Sequence, residues 1–349
     1  MNRDILTLTV YFAERQRSGD RFLADAVLDL FERHRIANTV LLRGIAGFGP
    51  TNVVRTDRSL SLSEDPPVAV VAVDTAERIS QLAAEVATLT DRAVLALERG
   101  SLLPDDPGTL DGDVQLSLHV GRRHRVAGRP GYLAVCDALH RHGFLGAEAY
   151  LGVDGTAAGQ RRRARFFGRN RDVPVLVAGI GTAAQALRAA DEVRGLLPEA
   201  WFTLEPVTVH RNGGGHVAGT PADDGAFRRM AVRTWESSLH HGQPIHRALI
   251  ARLRQSDRAG GATVLRAIWG FRTPGEPHGD RLLQLARQVP VTTVVLDTAE
   301  RIAAVFPIVD ELTSGEGLVT SSPLTGLLEL YDGQRRGHLG PGGETGLSK

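Results

Sequence analysis

The chain has almost no lysine and almost no cysteine. Its only lysine is Lys349 and its only cysteine is Cys136, so arginine supplies nearly all of the positive charge. A single cysteine excludes an internal disulfide and a cysteine-rich metal site. The 41 basic and 40 acidic residues give a net charge of +1. This balance argues against the strong positive field of a nucleic-acid-binding protein, and we expect no sequence-specific nucleic-acid partner.

Long apolar runs are missing as well. The N-terminus passes from Met1 to Asp4 directly into an alternating strand pattern, without the apolar core of a signal peptide. No run is long enough to span a bilayer. Hydrophobic residues make up 42% of the chain and charged residues 23%, which is typical of globular proteins with well-packed cores. We expect a cytoplasmic protein.

The sequence does contain an internal repeat. Residues 41–49 (LLRGIAGFG) correspond to residues 264–272 (VLRAIWGFR) at an offset of 223, and the hexapeptide DTAERI occurs at both 74–79 and 297–302. A more diverged copy lies between them, with YLGVDG at 150–155. The chain is therefore three tandem copies of one unit.

Turn-rich segments separate the copies. Residues 100–112 and 211–225 are rich in glycine, proline and aspartate, which is typical of linkers. The Gly-rich C-terminus indicates disorder. The predicted domains are module 1 (residues 1–100), the diverged module 2 (113–211), module 3 (226–331) and a disordered tail (332–349).

Each module shows the order strand, helix, strand, strand, helix, strand. In module 1, alternating apolar residues indicate a strand over 5–12, and helical spacing indicates a helix over 20–35. This βαββαβ order is typical of the α+β ferredoxin-like fold, whose sheet carries helices on one face and is bare on the other. Three copies in one chain would bury their bare faces together. We predict an intrachain pseudo-trimer that is monomeric in solution.

These motifs resemble a known family. RGIAGFG (43–49), LSLSEDPPV (60–68) and VDTAERI (73–79) are similar to motifs of the PII-like family called domain of unknown function 190, and LRAIWGF (265–271) repeats the first of them. The resemblance implies the PII signalling fold, which is usually a homotrimer of single modules. From the wider superfamily it also implies binding of adenine nucleotides or other small metabolites in clefts between modules. A long loop between the second and third strands, the T-loop, would contact partner proteins; here the T-loops would be residues 46–64, 154–172 and 269–287.

The chain departs from the family pattern in two respects. It has no counterpart of the Gly-rich, lysine-containing phosphate loop of well-known PII proteins, which puts ATP binding of their kind in doubt. It also fuses three modules, and fusion replaces bimolecular assembly by a high effective concentration. The three clefts are then free to diverge.

The glycine-rich strand exits are the first candidate ligand site. Glycine permits close backbone approach to a ligand, and arginine pairs with phosphate or carboxylate; the alternative is an ordinary strand exit with turn glycines. Module 2 has Leu151 and Thr156 at the positions of Arg43 and Phe48, so we expect only one or two working clefts. The candidate ligand-binding residues are Arg43, Gly44, Gly47, Phe48, Gly49, Arg266, Gly270 and Phe271.

Two helix starts are a second candidate. Asp74-Thr75 and Asp297-Thr298 precede predicted helices, whose N-termini could attract an anion. We interpret them as helix caps, with Glu77 as the capping-box partner of Asp74, because a capping carboxylate would repel an anion.

An arginine-rich segment is a candidate partner surface. Residues 161–171 (RRRARFFGRNR) place six arginines and two phenylalanines in one predicted T-loop. Such a segment could bind an acidic protein, a nucleic acid or a membrane, and the alternative is a solvated loop. The candidate partner-binding residues are Arg161, Arg162, Arg163, Arg165, Phe166 and Phe167.

No catalytic motif stands out. The sequence has no nucleophile elbow, no Walker loop and no His/Cys/Asp/Glu spacing typical of zinc, so we predict no catalytic residues, no metal and no cofactor besides a small-metabolite effector. The predicted function is regulatory: a metabolite, such as a nucleotide, binds between modules and the T-loops signal to a partner protein, such as a membrane transporter or an enzyme. The alternatives are a ligand-free scaffold that uses 161–171, and an enzyme on the same fold.

Overall fold

Two helices in each module cover one face of that module's sheet. The computed structural model describes residues 4–49, 53–56, 65–102, 111–157, 159–161, 173–198, 200–222, 227–279 and 288–340. None of the helices in these residues is long and apolar enough to cross a membrane. The helices are Leu23–Arg33 (α1), Ala76–Val86 (α2), Gly131–Arg141 (α3), Ala183–Leu196 (α4), Ile245–Ser256 (α5) and Ala299–Leu312 (α6).

The helices form because their apolar residues recur on one stripe that faces the sheet. In α1, Val27 and Phe31 are one turn apart and both fully buried. They pack with Leu8 and Val70 of the sheet in the core of module 1. Modules 2 and 3 have corresponding cores of their own.

The four main strands of each module form an antiparallel sheet in the order second, third, first, fourth. This confirms the predicted α+β fold with three ferredoxin-like modules. The strands are Asp4–Ala13, Asn38–Phe48, Pro67–Thr75 and Arg92–Leu102 in module 1; Asp113–Gly121, Gly146–Leu151 continued by Asp154–Ala157, Pro174–Thr182 and Trp201–Pro206 in module 2; and Phe227–Trp235, Ala262–Arg266 continued by Trp269–Arg272, Pro290–Thr298 and Leu318–Leu324 in module 3.

Short two-residue strands complete the modules. A small hairpin precedes the first helix of each module. In each T-loop, a short strand on the returning arm pairs with the end of the second strand, and we call this pairing the T-loop base. The hairpins are Arg17–Ser18 with Arg21–Phe22, Arg125–Val126 with Arg129–Pro130, and Leu239–His240 with Gln243–Pro244. The T-loop strands are Arg55–Thr56, Gln160–Arg161 and His278–Gly279.

The second strand of each module runs beyond its own sheet and pairs with the second strand of a neighbour. Residues 44–48 pair with module 3, residues 269–272 pair with module 2, and residues 154–157 pair with module 1. The three pairings close a cycle, as expected for modules related by a pseudo-three-fold axis. The predicted intrachain pseudo-trimer is therefore confirmed.

A second set of pairings links the fourth strands. The strand Thr208–Asn212, which also pairs with Gly215–His216, lies against the fourth strand of module 3. The strand Gly326–Tyr331 pairs with the fourth strand of module 1. Residues 101–102 pair with 203–204 of module 2. Each fourth strand thus has a partner from another module.

The C-terminal tail differs from the prediction of disorder after residue 331. Gln334–His338 pairs with Gly326–Tyr331 as an antiparallel hairpin. Its turn is Asp332-Gly333, with φ of 48° and 82°, and Asp-Gly is a favoured pair for a two-residue turn of this kind. The prediction was wrong because the polar strand after this turn has no apolar alternation. Residues 341–349 lie outside the described residues.

Candidate functional site

The aromatic residue of each Gly-Phe motif packs into a neighbouring module. Phe48 lies in the core of module 3, and Phe271 lies, fully buried, in the core of module 2. The counterpart in module 2 is Thr156, whose hydroxyl donates a hydrogen bond to the Ile36 carbonyl of module 1 at 3.1 Å. These side chains join the modules by packing and hydrogen bonding. Ligand binding by Phe48 and Phe271 stays a prediction.

The two candidate arginines form equivalent ion pairs. Arg43 bonds Glu14 at 2.9 Å, and Arg266 bonds Glu236 at 2.7 Å. Each arginine lies on the second strand of its module, just before the T-loop begins. Ligand binding by these arginines stays a prediction.

The candidate glycines allow strands of different modules to approach closely. A Cβ atom at Gly44 would lie 3.1 Å from the Val264 carbonyl oxygen of module 3, and one at Gly270 would lie 2.2 Å from the Ala147 carbonyl oxygen of module 2. A Cβ at Gly47 would lie 2.8 Å from the Ala262 carbonyl oxygen. Gly49 is different, since a Cβ there would meet nothing within 4 Å.

A cavity of about 150 Å³ lies between modules 1 and 3, in what we call the 1/3 cleft. Gly47, Phe48 and Gly49 line it on the outgoing arm of the module 1 T-loop, and Arg55 lines it on the returning arm. Module 3 contributes Gly260 and its neighbour Gly261. The cavity therefore brings together both arms of one T-loop and the strand entry of another module.

Charged groups border this cavity. Arg55 pairs with Asp65, and Arg92 donates from Nε to Asp332 at 2.7 Å. Glu329 lies beside Gly260, at whose position a Cβ atom would be 2.9 Å from the carboxylate. Burial, together with the nearby negative charge of Asp297, raises the pKa of Glu329. Two guanidinium groups and a carboxyl group at a concave, glycine-floored surface can bind a small ligand with an anionic group.

In the part of the chain that the structure describes, large side chains occupy the corresponding space between modules 3 and 2, which we call the 3/2 cleft. The Arg272 guanidinium lies 4.7 Å from the centre of the Trp235 ring, and that ring stacks on His278 at 4.2 Å. Arg272 also bonds Glu316 at 2.7 Å. In the repeat, Arg272 takes the place of Gly49 and Trp235 takes the place of Ala13. Likewise, His278 replaces Arg55 and Glu316 replaces Arg92.

Arg161 holds the T-loop base of module 2 against helix α1 of module 1. Its guanidinium bonds Asp25 at 2.8 Å and Asp154 at 2.7 Å, and it also pairs with Asp29. Asp25 and Asp29 belong to α1, so Arg161 links module 2 to module 1. The remaining predicted partner-binding residues, Arg162, Arg163, Arg165, Phe166 and Phe167, lie outside the described residues, as do parts of all three T-loops.

The two helix-start aspartates hold loops of their own modules. Asp74 accepts from the Thr75 N–H at 2.7 Å and from the Ala37 N–H at 2.9 Å. Asp297 accepts from the Thr298 N–H at 2.9 Å and from the Gly260 N–H at 2.8 Å, which fixes the floor of the 1/3 cleft.

The capping box predicted for Asp74 and Glu77 is wrong. Thr75 is the N-cap of α2, and its side chain makes no capping bond. A capping box forms instead at Thr182 and Gln185 of module 2. Asp74 does not cap α2, because its carboxylate accepts hydrogen bonds from the N–H groups of Ala37 and Thr75.

The inner faces of the three sheets meet at the axis in a polar network that the sequence did not reveal. Arg229 forms an ion pair with Glu98 at 3.0 Å, and Arg233 forms one with Glu148 at 3.3 Å. Both arginines also donate to the side-chain amide oxygen Oε1 of Gln115 at 2.8 Å. In the described part of the chain, no group of three or more His, Cys, Asp or Glu side chains is arranged to hold a metal ion.

Comparison with known proteins identifies the repeated unit. The family model DUF190, described as "Uncharacterized ACR", matches residues 5–101, 113–209 and 227–325. Among solved structures, aspartate kinase from Synechocystis is similar to this chain at 11% identity and a TM-score of 0.27. The match covers 93% of this chain and 44% of the kinase chain, and at this TM-score it carries no argument about function.

Proposed function

This chain belongs to the DUF190 family as a fusion of three copies, and we propose that it is a regulatory protein that binds a small metabolite in the 1/3 cleft. The supporting observation is the difference between equivalent clefts. Ala13 and Gly49 leave a cavity in the 1/3 cleft, whereas Trp235 and Arg272 fill the same positions in the 3/2 cleft. Divergence of this kind is what a fused trimer permits and a homotrimer does not.

The lining of the cavity favours a ligand with an anionic group, such as a nucleotide. Arg55 and Arg92 supply positive charge at its border, and the backbone at Gly260 and Gly261 allows close approach. Tyr331 adds an aromatic wall on the C-terminal strand. Arg43, the sequence-based candidate, is outside this lining.

Signalling would pass through the T-loop of module 1. A ligand in the cavity would contact Gly47 and Gly49 on one arm and Arg55 on the other, so its binding energy would differ between loop conformations. A partner protein, such as a membrane transporter or an enzyme, would recognise the loop. We propose a cytoplasmic monomer in which one chain supplies the whole pseudo-trimer.

The test is calorimetric titration with adenine and cyclic nucleotides, bicarbonate and 2-oxo acids. We expect at least one of these to bind the wild type and to bind Gly49→Arg at least tenfold more weakly, because that variant copies Arg272 into an open position. Gly219→Arg is the matched control: it too adds a side chain where a Cβ meets nothing within 4 Å, but outside the cavity. A ligand that binds Gly49→Arg as tightly as wild type would place the site elsewhere. No binding across the panel would favour the scaffold alternative based on residues 161–171.

A further inference from the structure

A second cavity, of about 80 Å³, lies on the pseudo-three-fold axis, where the inner faces of the three sheets meet. We call it the axial cavity. All three modules line it, with Thr9 and Tyr11 from module 1, His119 and Thr203 from module 2, and Arg233 from module 3. One water molecule takes about 30 Å³ of the liquid, so this space fits a molecule as large as roughly two or three waters.

Two buried polar side chains of module 2 border this cavity with unused hydrogen-bonding capacity. His119 is 9% exposed and Thr203 is 1% exposed. Among the residues that the structure describes, neither ring nitrogen of His119 nor the hydroxyl of Thr203 has a hydrogen-bond partner. They share one face of the sheet, because Thr203 pairs with Ser117 and His119 lies two residues further along that strand. Buried polar groups without partners are costly, so the cavity favours a polar occupant.

The equivalent pair in module 3 is satisfied within the protein. Arg233 takes the position of His119 in the first strand. Thr320 takes the position of Thr203 in the fourth strand, and its hydroxyl accepts from Arg233 at 2.8 Å. The imidazole of His119 makes no such bond to Thr203. With histidine in place of arginine, module 2 leaves both polar groups facing the cavity.

The lining combines hydrogen-bond donors with positive charge. Burial lowers the pKa of His119 to about 4, so its ring is neutral at pH 7 and has one N–H to donate. The Thr203 hydroxyl offers a second donor. The guanidinium groups of Arg229 and Arg233 border the same cavity. An oxyanion accepts hydrogen bonds and carries negative charge, so it matches this lining.

The charge of the axial network depends on Glu205, which also lines the cavity. Its carboxyl group accepts from Thr7 and Gln115 and lies near the charges of Glu98 and Arg229. Burial, reinforced by Glu98, raises the pKa of Glu205 to about 7. Below this pH the group is neutral, so a negative charge in the cavity meets less repulsion. An anion bound there would hold the proton of Glu205 more tightly.

We propose that the axial cavity binds a single small monovalent oxyanion, such as a carboxylate of the size of formate. The anion accepts hydrogen bonds from His119 and Thr203 and is attracted by Arg229 and Arg233. Its binding is coupled to protonation of Glu205. The His119 ring also borders a surface groove of module 2, so the anion enters past this ring.

Formate is the probe, and the measurement is the NMR signal of the His119 ring, assigned with His119→Asn. Formate and acetate should shift this signal in the wild type. Benzoate should not, because a benzene ring occupies a cavity of about 150 Å³ in a protein interior. Equal shifts from all three anions would indicate attraction to surface arginines and overturn the proposal. No shift with formate would mean that the axial cavity holds water alone, which overturns it as well.

Thr203→Val removes one donor and keeps the shape of the side chain. It should weaken formate binding, measured from the His119 signal, by about fivefold, because one hydrogen bond is lost. Thr208→Val, at an exposed threonine of the strand Thr208–Asn212, is the matched control and should leave the affinity unchanged. Equal formate affinities in Thr203→Val and the wild type would contradict the proposed contacts.

Two further comparisons test the proton coupling and the location. From pH 6 to 8 the formate affinity should fall several-fold in the wild type and stay constant in Glu205→Gln; a constant affinity in both would count against the proposal. Tyr11 and Val294 line both the axial cavity and the 1/3 cleft. Formate should therefore also be titrated into Gly49→Arg, where the His119 shift should persist. Loss of the shift there would place the anion in the 1/3 cleft instead.

Discussion

At the scale of single residues, the axis shows most clearly what fusion permits. Equivalent positions of the three modules carry different side chains at the axis. Thr7, Gln115 and Arg229 occupy the same position in the first strands of modules 1, 2 and 3. Of the three, only Arg229 has the positive charge to form an ion pair with Glu98. A homotrimer would place three identical residues around the axis. The buried carboxyl of Glu205 is part of this network, accepting from Thr7 at 2.9 Å and from Gln115 at 3.0 Å.

Glu205 makes the stability of the protein depend on pH. Burial, reinforced by the negative charge of Glu98, raises the pKa of Glu205 from 4.5 to about 7. The folded protein therefore holds this proton more tightly than the unfolded chain, and the stabilisation present below pH 4.5 is lost as the pH rises through 7. Glu205→Gln stays neutral, so between pH 5 and 8 the wild type should lose a few kcal/mol of unfolding free energy relative to it.

Urea unfolding at both pH values measures this difference. Glu77→Gln, a change at an exposed glutamate of α2, should follow the wild type at both pH values. If the wild type and Glu205→Gln keep a constant difference in unfolding free energy, Glu205 does not titrate in this range.

At the scale of elements, the second strands determine the assembly. Each extends out of its sheet, pairs with another module and, in two of the three cases, inserts a phenylalanine into that module's core. The extension gives a structural reason for the Gly-Phe motif that occurs at 47–48 and again at 270–271. Glycine allows the two strands to approach closely, and phenylalanine fills the core of the neighbouring module.

Phe271→Ala should therefore act on the joint between modules 3 and 2. Truncating a fully buried phenylalanine leaves a cavity and should lower the unfolding free energy by about 3–5 kcal/mol. Phe22→Ala, at a residue that is 46% exposed, should change it by less than about 1 kcal/mol. Denaturant unfolding compares the two, and similar small losses in both would mean that Phe271 does not hold the modules together.

Local patterns in the sequence were sufficient to predict the elements and their order. Alternation, helical spacing and repeat offsets all operate within one module, so the βαββαβ order followed from them. The role of Phe271 did not, because its packing partners lie in module 2. The Asp332-Gly333 turn could have been recognised, but the polar strand that follows it gave no apolar alternation.

The candidate cleft was predictable only in outline. Leu151 and Thr156, at the module 2 positions of Arg43 and Phe48, predicted that the clefts differ. The cavity itself joins Gly49 to Gly260 and Glu329, which are more than 200 residues away in the sequence. No motif spacing can reveal such a site. Comparison of repeat positions offered one signal that was missed: Ala13 corresponds to Trp235, which fills the 3/2 cleft.

At the scale of the whole molecule, the three modules form a closed ring whose clefts have different contents. The 1/3 cleft holds a cavity, the 3/2 cleft is filled by Trp235 and Arg272, and Arg161 ties the T-loop base of module 2 to α1. We infer that fusion has turned three equivalent sites into one ligand site, leaving the other clefts as structural joints.

The stoichiometry of binding tests this claim most directly. The panel ligand that binds the wild type most tightly should be titrated calorimetrically into the wild type and into Gly49→Arg. We predict that a single molecule binds per wild-type chain and that Gly49→Arg weakens this binding at least tenfold. Three equivalent molecules per chain, as in a symmetric trimer, would contradict the account.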